Sequence, residues 1–266
     1  MKKAIKILIK ILAFAILTIL TQIGGIAFMI SELVAKKINR ANKLKRILIF
    51  IGTYLLLTFL IVPLIAPLLG REKVIHTEKI NPANYMTVIL NRNYVRPELN
   101  KLLKKIDQNL NGTEITINYL DANFPFINKF PLLPHLSHND GKKLDLSLIY
   151  ETKNGEISKE QKSNSGYGVY EGPNRSESNQ IKKCLDKGYF QYDFPKYLTL
   201  GIKNKELVFS ARGTKALLNA ILKEDNLGKL FIEPHLKERL KLNNNKVRYH
   251  GCRAARHDDH IHIQLK

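Results

Sequence analysis

The chain has 266 residues, with 43 Lys and Arg against 23 Asp and Glu, a formal charge of +20 and a pI near 9.8. That length holds one catalytic domain of ordinary size plus extra segments and excludes two large domains. The charge suits an anionic partner, whether nucleic acid, acidic lipid or an anionic wall polymer, without choosing among them. Two cysteines, Cys184 and Cys252, exclude a disulfide-dense secreted scaffold and a cysteine-rich zinc site; they are free thiols or one bridge.

No charged residue falls between Ile11 and Ile30 or between Ile47 and Leu69. Each stretch is long enough to cross a hydrocarbon core of roughly 30 Å, so residues 1–70 read as a membrane anchor of two transmembrane helices, at about 11–30 and 47–69. The competing reading of the first is a cleaved signal peptide, given Lys2, Lys3, Lys6 and Lys10 ahead of it. Between the stretches lie Lys36, Lys37, Arg40, Lys43, Lys45 and Arg46 against one acid. This is the composition of a cytoplasmic loop and places both chain ends outside, although the four N-terminal lysines oppose that orientation. Pro63 and Pro67 are expected to kink or end the second helix.

Residues 71–113 read as linker and lead-in. Glu98 to Leu110 spaces Leu99, Leu102, Leu103, Ile106 and Leu110 as one face of an amphipathic helix, stopped by Asn111-Gly112. From Glu114 onward TEITINYL and LDLSLIY have the look of strands, and Ser158 to Ser178 that of a long polar surface loop. GTKALLNAILKED is helical with Thr214 as its N-cap, KLFIEPHL is a strand candidate, and HIHIQL ends the chain as a strand. The mixed order predicts an α+β domain over 114–266, a small antiparallel sheet with flanking helices, preceded by the two-helix hairpin.

Five of the eight histidines fall in two short stretches, His135 and His138 in PHLSHNDGKKLD and His257, His260 and His262 in RHDDHIHI. Their mutual repulsion when protonated favours a bound cation that holds them neutral. His76, His235 and His250 read as isolated, each exposed or satisfied by one hydrogen bond. On a strand, His260 and His262 face the same side, while His257 joins them only from the preceding turn. Asp140-Gly141 is a two-residue hairpin signal that would set Asn139 opposite Lys142 and His138 opposite Lys143, with Asp145 on the face of His138. Lys143 would then share that face, its stem carrying the ammonium to solvent. Two imidazoles and one carboxylate leave a zinc ion an open fourth position for an activated water, which makes hydrolysis the natural chemistry. The remaining histidine of the 260/262 pair would act as general base or polarise the scissile carbonyl, with Asp258 or Asp259 orienting a histidine.

The pattern His138, Gly141, Asp145 and, much later, His260-Ile261-His262 resembles the lysostaphin, D-Ala-D-Ala metallopeptidase and hedgehog superfamily of zinc enzymes. The tail RHDDHIHIQL is most similar to the penicillin-insensitive murein endopeptidases, as is His135-Leu136-Ser137-His138. The resemblance implies His138, Asp145 and His262 as ligands of one zinc ion, His257 and His260 as catalytic residues, and His135 as a further active-site histidine. It also implies the fold of those peptidases and a peptidoglycan peptide as substrate, while the two apolar stretches and the basic loop between them put the catalytic domain on the extracytoplasmic side of a bacterial cell membrane. Lys143 stands where the superfamily commonly has a small residue, most cysteines of the murein endopeptidases are missing, and those enzymes are soluble. The alternatives within this frame are a D,D-carboxypeptidase or dipeptidase and a non-catalytic zinc module that binds peptidoglycan. A His-Asp phosphohydrolase is disfavoured because such pairs sit on helices of all-helical domains. A nucleic-acid binder is not expected, because no recognition motif accompanies the lysines.

Overall fold

The computed structural model describes residues 2–38 and 42–266, so that Arg40 of the basic loop lies outside the described residues. The chain divides into two compact units that alternate along the sequence. The first comprises residues up to Val74, Met86–Pro97 and Ala122–Gly141; the second comprises Ile75–Tyr85, Glu98–Asp121 and Lys142–Lys266.

In the first unit, the initial apolar stretch is not one helix over residues 11–30. Helix α1 (Lys2–Thr21) ends at Gln22, whose φ of 66° reverses the chain into α2 (Gly24–Lys37). Gly24 and Gly25 permit the tight return: a Cβ on Gly25 would stand 2.1 Å from Thr18 Oγ1 and 2.8 Å from the Phe14 ring. Helix α3 (Lys43–Leu56) begins on Asn42, whose side chain accepts from Lys45 N–H. It continues through a π turn at Leu57–Ile61, an α turn at Val62–Ile65 and a 3-10 turn at Ala66–Leu69. Pro63 lacks an N–H and crowds the preceding turn, which accounts for the widened turn before it. Gly70 closes the helix in the left-handed conformation. Among the described residues, Lys3–Thr21 and Lys43–Leu69 are the helices long and apolar enough to cross a membrane.

Glu32 of α2 bonds both Lys10 of α1 and Arg46 of α3. The lysine-rich start of α1 and the basic α2–α3 connection therefore share one end of the helices. Helix α2 doubles back, and α1 and α3 run in the same direction, which differs from the two-helix hairpin expected from the sequence. Two segments from the polar part of the chain also belong to this unit, 86–97 and 122–141. They contribute Tyr94 and Phe126 to a cluster with Ile23, Val62 and Ala66.

The second unit is mixed α and β. Its six-stranded sheet contains β1 (Ile80–Pro82), β2 (Ile117–Tyr119), β3 (Lys143–Ser147), β4 (Leu227–Phe231), β5 (Val247–Arg248) and β6 (His260–Leu265), in the spatial order β5-β4-β6-β3-β2-β1. The central pairs are antiparallel, while the outer pairs β1-β2 and β4-β5 are parallel. Alternation sorts the residues of β3 and β6. Leu144, Leu146, Ile261 and Ile263 form one buried layer, and Asp145, Ser147, His260 and His262 form the other. Burying each such aliphatic side chain contributes about 1.5–3 kcal/mol, which fixes the register and with it the face that carries the histidines.

Helix α4 (Pro97–Asn109) buries Leu99, Leu102, Leu103 and Ile106, the periodic face read from its sequence. Its last residue, Asn109, bonds Glu224 just after helix α5 (Ala211–Leu222). The N-cap of α5 is Ser210, which accepts from Gly213 N–H, and not Thr214. Thr214 is buried in the first turns, and its hydroxyl accepts from Ile149 N–H. KLFIEPHL is a strand only as far as Phe231; Pro234 then starts a short helix.

Candidate functional site

Asp145 stands at the middle of β3 directly across from His262 of β6, where Asp145 Oδ1 is 2.8 Å from His262 Nδ1. Its backbone is fixed as well, by Asp145 N–H to Asp121 O at 2.9 Å and Leu120 N–H to Asp145 O at 2.8 Å. Its second oxygen accepts from the Tyr167 hydroxyl at 2.9 Å, and that hydroxyl accepts from Asp121 N–H at 3.1 Å. Burial first, then the neighbouring Asp145 and Asp121 carboxylates, push the Tyr167 phenol well above its ordinary range, so it remains a donor.

His138 precedes β3 in an irregular stretch. The Asp140-Gly141 hairpin does not form, and Lys143 pairs across the sheet with Gln264 instead of with His138. His138 is fixed by its own hydrogen bond. Nδ1 lies 2.7 Å from the Ala122 carbonyl, which can only accept, so Nδ1 carries the proton and Nε2 keeps a lone pair. His135 lies beside it, with ring centroids 5.6 Å apart.

His138, Asp145 and His262 are all buried and each offers one ligand atom, the three atoms lying within 4.8 Å of one another; they could hold a metal ion. Ligand atoms around an ideal tetrahedral zinc, with legs of about 2.0–2.1 Å, stand about 3.3 Å apart. Two imidazoles and a carboxylate are a donor set that suits the ion, and ligand atoms up to 4.8 Å apart reach that spacing by closing up to about 1.5 Å.

The other histidines of the tail surround His262. His257, in the turn before β6, has its ring centroid 4.7 Å from that of His260 and 5.9 Å from that of His262. Its backbone is clamped by Glu233: His257 N–H donates to Oε1 at 3.0 Å, and Glu233 N–H donates to His257 O at 3.0 Å. Tyr192 donates to the other Glu233 oxygen at 2.6 Å. Burial raises the Glu233 carboxyl from 4.5 to about 7, against the hydrogen bonds from Tyr192 and His257. Burial likewise pushes the His257 ring well below its ordinary value, helped by the charges of His260 and His262.

His260 goes the other way. Burial disfavours its charge most, but Asp259 and Asp145 outweigh that and bring the ring up to about 9. Asp259 Oδ1 lies 2.5 Å from His260 Nδ1, and its Oδ2 accepts from Gly168 N–H at 2.6 Å. Asp259 is thus the acid that orients a tail histidine. Asp258 is instead neutralised by Arg256, which bonds it through Nε at 2.7 Å and lies with its guanidinium carbon 3.7 Å above the Tyr170 ring.

No family model matches this chain, and no curated protein matches its sequence.

Three residues of the site escaped the sequence reading. Tyr167 belongs to a stretch read as surface loop, yet it is buried; its signal was its position between Gly166 and Gly168, whose φ angles are 83° and 80°. His250, taken for an isolated histidine, packs its ring 5.3 Å from that of His257 and 4.5 Å from that of Phe231. Glu233 gave no signal, because a lone acid after an apolar run looks like a strand end. His76 and His235 match the ordinary reading, bonding Tyr119 Oη at 2.7 Å and Glu171 O at 2.8 Å. Cys184 and Cys252 are bridged, with Cα atoms 5.2 Å apart.

Proposed function

We propose that this chain is a membrane-anchored zinc peptidase that hydrolyses peptide cross-links of bacterial peptidoglycan, its catalytic part on the extracytoplasmic side. The observation that carries the reading is the gathering of His138, Asp145 and His262, from two stretches far apart in the chain, with their ligand atoms within 4.8 Å of one another. The substrate class rests on the resemblance of the tail RHDDHIHIQL and of HLSH to murein endopeptidases, and the anchoring rests on the two apolar helices.

His138 would bind through Nε2, since Nδ1 is committed to Ala122. Asp145 would bind while Tyr167 fixes its second oxygen. Zinc held there supplies Lewis-acid activation of water and polarisation of the scissile carbonyl. His257, in its clamped turn, accepts the proton that water loses as its oxygen bonds the carbonyl carbon, and that proton passes to the departing amine nitrogen as the C–N bond breaks. His260, held through Nδ1 by Asp259, turns Nε2 toward the reacting centre, 3.8 Å from Asp145 Oδ2, and stabilises the developing oxyanion. His135, beside His138, contacts the substrate.

The test uses the full chain purified in detergent, with His138→Ala and His262→Ala beside it, zinc measured by elemental analysis and purified murein digested and separated by chromatography. Stoichiometric zinc in the wild type, lost in both variants together with cleavage of cross-linked muropeptides, supports the proposal. Zinc without any change in muropeptides leaves a binding module, and a wild type that retains no zinc overturns the reading.

A further inference from the structure

The segments 86–97 and 122–141 do more than follow the apolar helices in sequence; they are bonded to them far from the helix ends. Tyr54 Oη donates to Ile89 O at 2.7 Å, and Asn91 Nδ2 donates to Thr58 Oγ1 at 3.2 Å. Thr58 stands about 16 Å along the helix before Leu69 and about 18 Å after Arg46, at roughly 1.5 Å per residue. It is therefore near the middle of the charge-free stretch. Between Thr58 and the end of that stretch, Leu60, Leu64 and Leu68 form an outward stripe at helical spacing, Leu68 being 82% exposed. Such a stripe needs lipid to cover it, and whatever bonds Tyr54 and Thr58 lies deeper than the stripe's far end. Irregular backbone at that depth is tolerated only where protein covers it, and Asn91, Asn93, Tyr94 and Val95 are all buried.

The second segment is attached in the same way. Phe126 N–H donates to Gln22 Oε1 at 2.8 Å, in the turn between α1 and α2, and the Phe126 ring packs on the cluster of Ile23, Val62 and Ala66. From Ala122 to Asn139 the only Lys, Arg, Asp or Glu is Lys129. Ile127, Leu133 and Leu136 nevertheless point outward, at 58%, 49% and 56% exposure. Exposed leucines and isoleucine on a charge-poor loop, tied by hydrogen bond and packing to membrane helices, are what an interfacial element presents to acyl chains.

We propose that residues 86–91 and 126–136 are inserted in the bilayer, dipping beside the helices into the leaflet at which the span Lys43–Leu69 ends, with Ile127, Leu133 and Leu136 in contact with acyl chains. His138 follows two residues after Leu136, so the segment that carries it is held at the membrane surface. If the peptidase reading holds, its substrate is the part of the wall polymer or its lipid-linked precursor that lies against the membrane; insertion itself does not depend on that reading.

The chain contains no tryptophan, so one introduced indole reports alone. Ile127→Trp, Leu133→Trp and Leu136→Trp replace exposed side chains, and N-acetyltryptophanamide added to vesicles carrying the wild type is the water-exposed reference. The full-length proteins are reconstituted in phosphatidylcholine vesicles with and without brominated acyl chains. Blue-shifted emission at all three positions, with strong loss in brominated lipid and none for the added reference, is the expected result. Water-like, unquenched emission at Leu133→Trp or Leu136→Trp overturns the proposal, whether or not the protein binds zinc. Circular dichroism matching the wild type confirms that each variant is folded.

Discussion

Replacing Tyr167 with Phe isolates one link between the polar loop and the candidate metal ligands. The ring stays, and with it the edge contact to His260 at 5.0 Å between centroids. What goes is the hydroxyl, and with it the bond accepted from Asp121 N–H at 3.1 Å and the bond donated to Asp145 Oδ2 at 2.9 Å. The buried Asp121 amide loses its acceptor at a cost of about 1–3 kcal/mol of folding stability. In a unit of this size that lowers the melting temperature by about 2–4 °C per kcal/mol. Asp145 also loses the group that holds its second oxygen, and removal of such a supporting hydrogen bond typically weakens zinc binding by about 10- to 100-fold. Competition of the full chain with a zinc chelator, beside thermal unfolding of the metal-free protein, reads the two effects separately. If Tyr167→Phe binds zinc as tightly as the wild type, Asp145 is not a ligand supported in this way. If zinc binding weakens while the metal-free protein melts unchanged, the Asp121 bond contributes nothing.

Glu233 makes stability depend on pH. Its carboxyl is raised from 4.5 to about 7, so between those values the folded state holds more protons than the unfolded one. Stability therefore falls as pH rises through that window, by about 3 kcal/mol in all, and levels off above it. Glu233→Gln should flatten this slope in unfolding curves taken from pH 4 to pH 8; an unchanged slope would remove Glu233 as its source. The Cys184–Cys252 bridge closes a separation of 68 residues, worth about 4 kcal/mol in chain entropy. A Cys184→Ser, Cys252→Ser double variant should melt well below the wild type and be insensitive to reductant, and equal melting of the two proteins would refute that share. His138→Ala and His262→Ala are each expected to abolish zinc retention in the assay described above.

The alternation of His260-Ile261-His262-Ile263 and of Leu144-Asp145-Leu146 could be read without a structure, since a period of two leaves little freedom once one layer is aliphatic. Turns were less legible. Asp140-Gly141 has the residues of a tight hairpin, and Gly141 does adopt φ of +78°. It is needed for a different reason: a Cβ there would stand 2.4 Å from Arg71 Nη1, so the glycine makes room for a buried guanidinium. The break at Gln22 was hidden because a reversal inside an apolar run leaves hydropathy unchanged; only the following Gly24-Gly25 pair hinted at close helix packing. Ser210 and Thr214 are both good caps by type. Which one starts α5 was decided by Ile149, whose amide takes the Thr214 hydroxyl.

The stretch from Ser158 to Ser178 shows why composition misjudged the site most. Few aliphatic residues suggested a solvated loop, but this loop is held by polar bonds to the histidine-bearing turn. Tyr167 reaches Asp145, Gly168 N–H reaches Asp259, and Glu171 N–H donates to Asp258 O at 2.8 Å. Tyr170 lies under the guanidinium of Arg256, which ties Asp258 to Asp193. Each contact satisfies a buried acid or carbonyl that would otherwise cost a few kcal/mol, so the loop's polarity is a requirement of where it sits. A wall built of aliphatic side chains would leave Asp145, Asp258 and Asp259 without these donors. Neither His260 nor a cation beside His262 would then have a carboxylate partner held in place by these bonds. The same polar residues that made the segment look peripheral are what allow three carboxylates and three histidines to stay buried together.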